Sequence, residues 1–465
     1  MRLAMIGAGY VGLVSGACLA DFGYEVVCVD RDDARIANLQ RGVLPLYEPQ
    51  LDHMVAENCA AGRLSFSTDL AAAVAAADVV FIAVGTPPSG RDGDVDLSAV
   101  YAAAKATAEA LNGFTVVVTK STVPPGTGDE VEAIIRDLRP DADFAVASNP
   151  EFLREGVAVE EFRHPDRVVI GTDDQRARDV LAELYRPLEA NNVPTVFTGR
   201  RTAELIKYAA NAFLATKIGF INEIANLCEK LGADVADVST GLGLDRRIGP
   251  KFLNPGPGYG GSCLPKDVRG LIRTAERAGM ELGIVSAVEA VNTHRRIDIA
   301  ARVIDVVGGA KDATIAVLGL TFKPDTDDIR ETPALPMIAA LQDAGAKVRA
   351  FDPKGMEHAR KLTKGVNFAS DPYECATGAD ALVILTDWDS FRGLDLARLR
   401  AVMRRPILVD FRNIYAPDDL ADAGFAYYAV GRGGWPSPVS DLLDDDSGRV
   451  VVVRPGAIAR ARSGR

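Results

Sequence analysis

Residues 1–30 read MRLAMIGAGYVGLVSGACLADFGYEVVCVD, and this stretch decides the fold. Leu3 to Ile6 and Glu25 to Asp30 are short and largely apolar, as expected of buried strands. Between them, Val11 to Phe22 has the composition of a helix, and the glycines before it predict a tight turn. The sequence therefore predicts a β-α-β unit at the N-terminus.

The turn contains the pattern Gly7-x-Gly9-x-x-Gly12, and Asp30 follows 18 residues after its last glycine. These glycines would let the backbone approach a pyrophosphate, which then lies at the positive end of the helix. A carboxylate after the second strand can hold the adenosine ribose hydroxyls. The pattern alone describes any tight turn, but together with the strand, the helix and the acid it indicates a dinucleotide site. The residues predicted to contact the dinucleotide here are Gly7, Gly9, Tyr10, Val11, Gly12 and Asp30.

Strand-like and helical stretches alternate through the rest of the chain. Further strands are predicted at Val79 to Val84, Thr115 to Thr119, Phe144 to Ala147, Val168 to Ile170, Thr314 to Leu318, Lys347 to Phe351, Ala381 to Leu385 and Ile407 to Val409. From Arg201 to about Leu231 a run with few breakers predicts a helix of roughly 45 Å that bridges two domains or two subunits. Residues 247–266 are rich in Gly and Pro and are expected to be irregular, and Pro333 to Ala344 suits a helix.

This order predicts an α/β protein with an N-terminal Rossmann-type doubly wound domain, a long central helix and a second, smaller Rossmann-like α/β domain. The predicted divisions are 1–198 for the cofactor domain, 199–300 for a central helical and dimerisation domain, 301–440 for the second α/β domain and 441–465 for a mobile tail.

Composition argues against several functional classes. The 465 residues include 52 Lys and Arg against 64 Asp and Glu, and a net charge of -12 offers no basic field to a nucleic acid or an anionic membrane. The six cysteines are far apart, so neither a metal site nor a disulfide framework is expected, and reduced thiols are typical of a cytoplasmic protein. The apolar N-terminus superficially resembles a signal peptide, but its glycines and the strand after them favour the β-α-β interpretation.

Cys263 lies in the stretch GYGGSCLPKD, which runs from Gly258 to Asp267. The glycines expose backbone, and a cation such as Lys266 would lower the pKa of the thiol and favour the thiolate. Burial as a small apolar side chain is the interpretation for the other five cysteines. Burial alone requires neither these glycines nor a Lys-Asp pair, so Cys263 is the candidate nucleophile.

Three further patterns place polar groups where ligands of a doubly wound sheet bind. Lys207 and Asn211 are four residues apart on the long predicted helix, so they share a face and could stabilise an oxyanion, unless they are a solvated lysine and a tolerated amide. Residues 121–126 (STVPPG) and 148–156 (SNPEFLREG) follow predicted strands. Pro-rich loops and helix N-caps would explain the same residues without a functional role.

Six motifs occur together in a fixed order: Gly7-x-Gly9-x-x-Gly12, STVPPGT from Ser121, NPEFLREG from Asn149, Lys207 with Asn211, GYGGSCLPKD from Gly258 and GLTFKPDTDDIRET from Gly319. With these motifs the chain resembles the nucleotide-sugar 6-dehydrogenases of the UDP-glucose/GDP-mannose dehydrogenase family, from residue 1 to about 440. The last 25 residues fall outside the resemblance.

The resemblance implies an NAD-dependent, two-step, four-electron oxidation of a sugar 6-hydroxyl to a carboxylate, with UDP-glucose as substrate and UDP-glucuronate as product. The implied catalytic residues are Cys263, Lys207, Asn211, Asp267, Glu151 and Thr122. Cys263 would trap the aldehyde as a thiohemiacetal and then carry a thioester, while Lys207 and Asn211 stabilise oxyanions. The other three would manage water and protons.

The resemblance also implies ligand contacts, and none of them involves a metal. Around NAD it implies, besides the Gly-rich turn, Asp30, Arg35, Thr86, Thr122, Glu155, Lys266 and Arg330. Around the UDP-sugar it implies Glu151, Phe152, Leu153, Arg154, Glu155, Lys207, Asn211, Phe252, Leu253, Asn254, Pro255, Gly256, Gly260, Lys323 and Arg412. Arg247 would reach the nucleotide of a partner subunit, in a homodimer or larger homo-oligomer formed through the central helix.

Three alternatives stay open. GDP-mannose 6-dehydrogenases share GGSCLPKD and NPEFLRE, although the stretch around His164 to Arg167 is more similar to the UDP-glucose branch. A β-hydroxyacid dehydrogenase also combines a Rossmann domain with a helical Lys-x-x-x-Asn, but needs no thiol. A non-catalytic NAD-sensing protein would keep the N-terminal unit without Cys263, Lys207 and Asn211.

The carboxylate of Asp30 predicts a preference for NAD, because it would repel the 2′-phosphate of NADP. Arg31 and Arg35 lie close and weigh in the opposite direction, since a guanidinium can accommodate that phosphate. We expect the unchanged protein to prefer NAD strongly and Asp30→Ala to narrow the gap in kcat/KM between the two cofactors. Equal turnover of NAD and NADP by the unchanged protein would contradict this.

Overall fold

The computed structural model describes residues 1–90 and 93–435. Two largely parallel sheets are connected through one long helix, which confirms the predicted class of fold. The predicted tail, 441–465, and the last five residues of the predicted second domain lie outside the described residues.

The N-terminal sheet has eight strands. They are β1 (Arg2–Ile6), β2 (Glu25–Val29), β3 (Leu64–Ser67), β4 (Val79–Ile82), β7 (Thr115–Thr119), β8 (Phe144–Ser148), β9 (Val168–Gly171) and β10 (Thr195–Thr198), while β5 (Pro88–Ser89) and β6 (Asp94–Val95) form a separate antiparallel pair. The sheet order is β10-β9-β8-β7-β4-β1-β2-β3, and only β8 and β9 meet antiparallel. Every residue of β4 and β7 is buried, because helices cover both faces of the sheet.

The helices of this domain connect successive strands. They are α1 (Tyr10–Asp21), α2 (Asp33–Gln40), α3 (Leu51–Ala60), α4 (Leu70–Ala76), α5 (Ser98–Ala110), α6 (Thr127–Leu138), α7 (Ala158–Arg163) and α8 (Gln175–Glu189). The predicted N-terminal β-α-β unit is confirmed by β1, α1 and β2.

The central region begins with α9 (Arg200–Leu231), a 32-residue helix that confirms the predicted long helix. Its last turns contribute Ile221, Ala225 and Cys228 to the hydrophobic core of the second domain. It ends at Gly232, whose φ of 70° is easily adopted only by glycine. Helices α10 (Val235–Gly243), α11 (Leu264–Arg277) and α12 (Gly283–Val307) follow. Residues 247–263 form neither helix nor strand, as predicted, but the prediction is wrong for residues 264–266, which form the first turn of α11, where a proline is tolerated.

The second domain contains a six-stranded parallel sheet. Its strands are β11 (Thr314–Leu318), β12 (Lys347–Phe351), β13 (Asn367–Phe368), β14 (Ala381–Ile384), β15 (Ile407–Asp410) and β16 (Ala426–Ala429). The sheet order is β13-β12-β11-β14-β15-β16. Its helices are α13 (Ala334–Asp343), α14 (Met356–Leu362), α15 (Pro372–Ala376), α16 (Asp389–Arg392), α17 (Leu396–Val402) and α18 (Pro417–Asp422). The predicted division at residue 300 lies inside α12, which continues to Val307.

Both sheets carry an aspartate immediately after their second strand. In the second domain this residue is Asp352, which is fully buried. Its Oδ2 accepts hydrogen bonds from the backbone N–H groups of Leu320 and Thr321 at 2.7 and 3.1 Å and from the Trp388 indole at 3.2 Å. The acceptor capacity of the Asp352 carboxylate is therefore used by hydrogen-bond donors of its own domain.

Glu204 attaches α9 to the N-terminal sheet. Its buried carboxylate accepts hydrogen bonds from the backbone N–H groups of Gly126 and Gly128, at 2.6 and 2.8 Å, and from the Ser148 hydroxyl at 2.8 Å. One side chain therefore fixes the loop after β7 and the end of β8 to the helix.

We expect Glu204→Ala to lower the free energy of unfolding by about 1–3 kcal/mol, because it leaves buried donors without an acceptor. The measurement is the urea midpoint, and the control is Glu223→Ala at an exposed position of the same helix. Equal midpoints for the two variants would show that the Glu204 contacts contribute nothing to stability.

Candidate active site

A cleft of about 1680 Å³ lies between the two sheets. Loops that follow the strands of both sheets line it, together with α9 and the irregular segment before α11. Doubly wound sheets bind ligands at this end of their strands.

The Gly-rich turn between β1 and α1 forms one end of the cleft. A Cβ at Gly12 would stand 1.8 Å from the carbonyl oxygen of Gly7, so the close packing of helix and turn requires glycine there. Gly9 instead faces open space, with no atom within 4 Å of the position of a Cβ. It caps α1 without a side-chain hydrogen bond, and the first turn contains no acidic residue. The first N–H groups of α1, which as in any α-helix have no acceptor within the helix, fit a pyrophosphate.

Asp30 lies beside this turn and is paired with a cation. Its Oδ2 accepts hydrogen bonds from the Ala8 backbone N–H at 2.9 Å and from Arg35 at 2.8 Å. Burial alone would raise the pKa of the Asp30 carboxyl, but the N–H groups of Ala8 and Asp32 and the Arg35 guanidinium outweigh burial, so the pKa is lowered. Arg35 is thus engaged by the acid, which weakens the case for a 2′-phosphate.

Cys263 stands at the N-terminus of α11, where its thiol lines the cleft. Burial raises the pKa of this thiol to about 11, and the Glu151 and Asp267 carboxylates add to the rise. The Lys207 ammonium and a hydrogen bond with Ser262 oppose it. The resting side chain is therefore a neutral thiol at neutral pH.

The prediction that a neighbouring cation favours the Cys263 thiolate is therefore wrong for the resting site. Lys266, the cation adjacent in sequence, donates to Asp267 Oδ1 at 2.7 Å. The ammonium that opposes the rise in pKa is Lys207, which comes from α9 and is distant in sequence. Its effect is smaller than that of desolvation, which disfavours a charged sulfur.

The side chains of Lys207 and Asn211 project from the same face of α9, as their spacing predicts, and both are buried. Lys207 Nζ lies 3.3 Å from Glu151 Oε1. Asn211 Nδ2 donates to Asp267 Oδ2 at 2.6 Å. Each buried carboxylate thus has a cationic partner, Lys207 for Glu151 and Lys266 for Asp267, as buried charges require.

The loop after β8 forms the wall of the cleft opposite Cys263's helix. Glu151 Oε2 accepts a hydrogen bond from the Leu153 backbone N–H at 2.5 Å. The Phe152 ring packs between two cations, with the Arg167 guanidinium 3.5 Å and Lys207 Nζ 5.3 Å from its centre. Aromatic faces attract cations in this arrangement.

Glu48 joins this loop to the Gly-rich turn. Its carboxylate accepts from the backbone N–H groups of Gly156 and Ala158, at 2.6 and 2.7 Å, and from the Tyr10 hydroxyl at 2.5 Å. Sequence reasoning missed Glu48, as it missed Glu204 and Lys120. Their partners lie 29 to 110 residues away along the chain, so no local pattern marks them.

Glu155 connects the loop to the second domain. It accepts hydrogen bonds from the Ser262 hydroxyl at 3.1 Å and from the Thr326 hydroxyl at 3.3 Å, and Arg330 lies 3.5 Å away. Burial raises the pKa of Glu155 to about 7, Asp328 adds to the rise, and Arg330 and Lys323 oppose it. The carboxylate therefore couples three segments that line the cleft.

Most of the predicted site residues line this one cleft. They are Gly7, Gly9, Tyr10, Val11, Asp30, Arg35, Thr86, Thr122, Glu151, Phe152, Leu153, Arg154, Glu155, Lys207, Asn211, Phe252, Asn254, Gly256, Gly260, Cys263, Lys266, Lys323, Arg330 and Arg412. Buried behind this lining are Gly12, Leu253, Pro255 and Asp267. Their assignment to individual ligands stays a prediction.

Arg247 does not reach this cleft. Its side chain is 89% exposed and pairs with Asp245 at 2.6 Å. Its predicted contact with the nucleotide of a partner subunit stays a prediction.

Three models of one family match the chain along most of its length. They describe the UDP-glucose/GDP-mannose dehydrogenase family: its NAD binding domain at residues 1–189, its central domain at 201–294 and its UDP binding domain at 316–417. A UDP-glucose 6-dehydrogenase from Rhizobium meliloti is 60% identical over 93% of this chain and 100% of its own length.

Solved structures agree with this assignment. A UDP-glucose dehydrogenase from Pyrobaculum islandicum superposes with a TM-score of 0.86 at 39% identity, covering 93% of this chain and 98% of that one. A UDP-D-ManNAc dehydrogenase from Pyrococcus horikoshii gives 0.82 at 29% identity, covering 93% and 99%.

The cleft and the dinucleotide turn, taken with these similarities, define an NAD-dependent oxidoreductase. The chain belongs to the UDP-glucose/GDP-mannose dehydrogenase family, and its cofactor is NAD.

Two kinds of feature are absent from residues 1–90 and 93–435. No helix in these ranges is both long and apolar enough to cross a membrane. No group of three or more His, Cys, Asp or Glu side chains there could hold a metal ion. All six cysteines are free, and Cys59 is exposed, contrary to the interpretation that it is buried.

A thiol whose pKa is about 11 predicts slow alkylation of Cys263 at neutral pH. We expect the rate with iodoacetamide to rise about tenfold per pH unit from pH 7 to 10, because only the thiolate reacts. Peptide mapping separates Cys263 from the exposed Cys59. A rate that levels off below pH 8 would mean that the thiolate is already present at rest.

Proposed function

We propose that this chain oxidises UDP-glucose at C6 to UDP-glucuronate with two molecules of NAD. The observation that carries the proposal is the Cys263 thiol beside Lys207, in the cleft between the NAD binding and UDP binding domains. An enzyme that stopped at the aldehyde would need no nucleophile at this position. The similarity to the Rhizobium meliloti enzyme supports the choice of UDP-glucose.

NAD, when bound, supplies the hydride acceptor for both oxidations. The Gly-rich turn and Asp30 would hold the cofactor, and Lys323, which comes from the second domain and lines the same cleft, is a cation suited to the phosphates of the UDP-sugar. Lys207 and Asn211 would donate hydrogen bonds to the C6 oxygen as it gains negative charge.

Cys263 would then add to the C6 aldehyde. The S–C6 bond forms while the thiol proton passes to a nearby carboxylate, Glu151 or Asp267. Because the resting thiol is neutral, it reacts only when the aldehyde is next to it. After the second oxidation the acyl group is a thioester on Cys263. Water adds to its carbonyl, the C–S bond breaks, and the free thiol and the carboxylate product result.

We also propose self-association through α9. Phe213, Phe220 and Leu227 are spaced seven residues apart on this helix and are 66%, 48% and 51% exposed. An apolar stripe of this kind is a typical helix-packing surface, and Phe213 also lines the cleft. A monomer in sedimentation equilibrium at micromolar concentration would exclude it.

A reduced Cys263 suits the cytoplasm, where we place the protein. Fractionation of cells that produce it should therefore recover its activity in the cytosol. Recovery in the periplasmic or membrane fraction would contradict this.

The stoichiometry tests the reaction. We expect two NADH per UDP-glucose and no accumulation of free aldehyde, because the thiol retains the intermediate. A panel of UDP-glucose, UDP-N-acetylmannosamine and GDP-mannose, with NADH counted per sugar, measures both the reaction and the substrate. One NADH per sugar would favour a two-electron dehydrogenase, and faster turnover of another sugar would change the substrate assignment.

Variants of Cys263 test the covalent step. We expect Cys263→Ala to bind NAD and UDP-glucose normally but to form no acid, and Cys263→Ser to stall before or at ester hydrolysis, since an alkoxide is a poorer leaving group. Lys207→Ala should instead slow every oxyanion-forming step by roughly a hundredfold. Near-normal acid production by purified Cys263→Ala would remove the covalent mechanism.

A further inference from the structure

Lys120, which directly follows β7, is a buried cation whose Nζ lies 5.9 Å from the centres of the Phe81 and Phe162 rings. Its side chain is 3% exposed. Its Nζ donates to Asn149 Oδ1 at 3.1 Å, and within residues 1–90 and 93–435 no other hydrogen bond or ion pair of this ammonium is found. A lysine ammonium has three donors, so two of them remain available.

A second cavity, of about 180 Å³, lies next to this ammonium. We call it the rear cavity; it is lined by Lys120, Tyr185, residues 149–154, residues 161–162, residues 164–168, Leu188 and Lys251. Eight residues line both the rear cavity and the main cleft, and four of them are consecutive, residues 151–154; we call this segment the wall between the two spaces. A polar cavity of this volume holds about six waters.

Glu151 is the acidic residue of this segment. On the side of the cleft its Oε1 lies 3.3 Å from Lys207 Nζ. The electrostatic influence of Glu151 also reaches Lys120: burial lowers the pKa of Lys120 to about 8, the Glu151 carboxylate opposes this, and the Lys207 ammonium adds to it. Glu151 therefore lies within the fields of two buried ammonium groups.

We propose that Lys120 is a positioning residue for hydrolysis of the thioester: its free donors order water in the rear cavity, and this water reaches the acyl carbon past Glu151. The inference rests on the proposed function. A UDP-sugar and NAD would fill the main cleft, so the hydrolytic water needs another route. Glu151 takes a proton from the water molecule while the water oxygen bonds to the acyl carbon. The C–S bond then breaks, and the proton passes from Glu151 to the sulfur of Cys263.

A purely structural role for Lys120 is the alternative, in which it only holds Asn149. Two other contacts also hold that amide: the Tyr185 hydroxyl donates to the same Oδ1 at 2.5 Å, and Asn149 Nδ2 donates to the Val169 carbonyl at 2.8 Å. Tyr185→Phe thus removes a hydrogen bond from the same oxygen atom without removing a charge. It is a matched control for Lys120.

The test is rapid-mixing kinetics of Lys120→Met with UDP-glucose and excess NAD. We expect the variant to give a burst of two NADH per active site, at a rate within about twofold of the burst rate of the unchanged enzyme. The steady-state rate of the variant should then be at least tenfold lower than the steady-state rate of the unchanged enzyme. Acid quenching followed by mass spectrometry should find the acyl group on the Cys263 peptide. Tyr185→Phe should keep the burst and the steady state in their original ratio.

Chemical rescue separates the charge from the packing. Lys120→Ala removes the part of the side chain that n-propylammonium can replace, and the rear cavity offers it space. We expect n-propylammonium to restore the steady-state rate with saturation, while n-propanol, which has nearly the same shape without the charge, does not.

Several outcomes would overturn the proposal: burst and steady state falling together in Lys120→Met, the same altered ratio in Tyr185→Phe, no rescue of Lys120→Ala, or equal rescue by n-propanol. Two different experiments would show that the proposed function itself is wrong: acid production by Cys263→Ala, or one NADH per sugar in the unchanged enzyme. If Lys120→Met does not fold, the rescue of Lys120→Ala alone decides.

Discussion

The buried ion pair of Lys207 with Glu151 is the interaction on which the rest of the site depends. It joins α9 to the loop after β8 across 3.3 Å in the wall of the cleft. Asn211, one turn further along α9, holds Asp267, whose second oxygen is paired with Lys266. Because these carboxylates already have cationic partners, the resting site has no surplus positive charge with which to ionise a thiol. Burial is the main cause of the raised pKa of Cys263, and this balance of charges leaves the Lys207 ammonium unable to reverse it, so the thiol stays neutral.

Much of the fold could be predicted from the sequence because its central strands are uninterrupted apolar stretches and its long helix contains few breakers. The edge strands β3, β10, β13 and β16 were missed, since they are short, partly exposed and mixed in composition. The candidate site followed from local motifs. What local motifs could not supply was which charges meet: Lys207 rather than Lys266 acts on Cys263, and Glu48 reaches Gly156 across 108 positions. Such partners depend on tertiary packing.

Both domains have an aspartate after the second strand of their sheet, but the two aspartates have different surroundings. Asp30 and Asp352 each follow the second strand of a parallel sheet, the position where a dinucleotide-binding domain holds a ribose. Asp30 lies in the lining of the cleft beside an open glycine turn. Asp352 is enclosed by the backbone of its own first loop and by Trp388. The loop after the first strand of the second sheet instead contributes two cations, Lys323 and Arg330, to the lining of the cleft.

A thiol that stays protonated until substrate arrives also affects how long the protein lasts. Peroxide attacks the thiolate and converts it through sulfenic acid to irreversibly oxidised forms, and the rate follows the fraction of thiolate. With a pKa of about 11, the Cys263 sulfur is almost entirely in the inert form at neutral pH. The desolvation that keeps the resting sulfur neutral thereby also protects it from oxidative damage during periods without substrate.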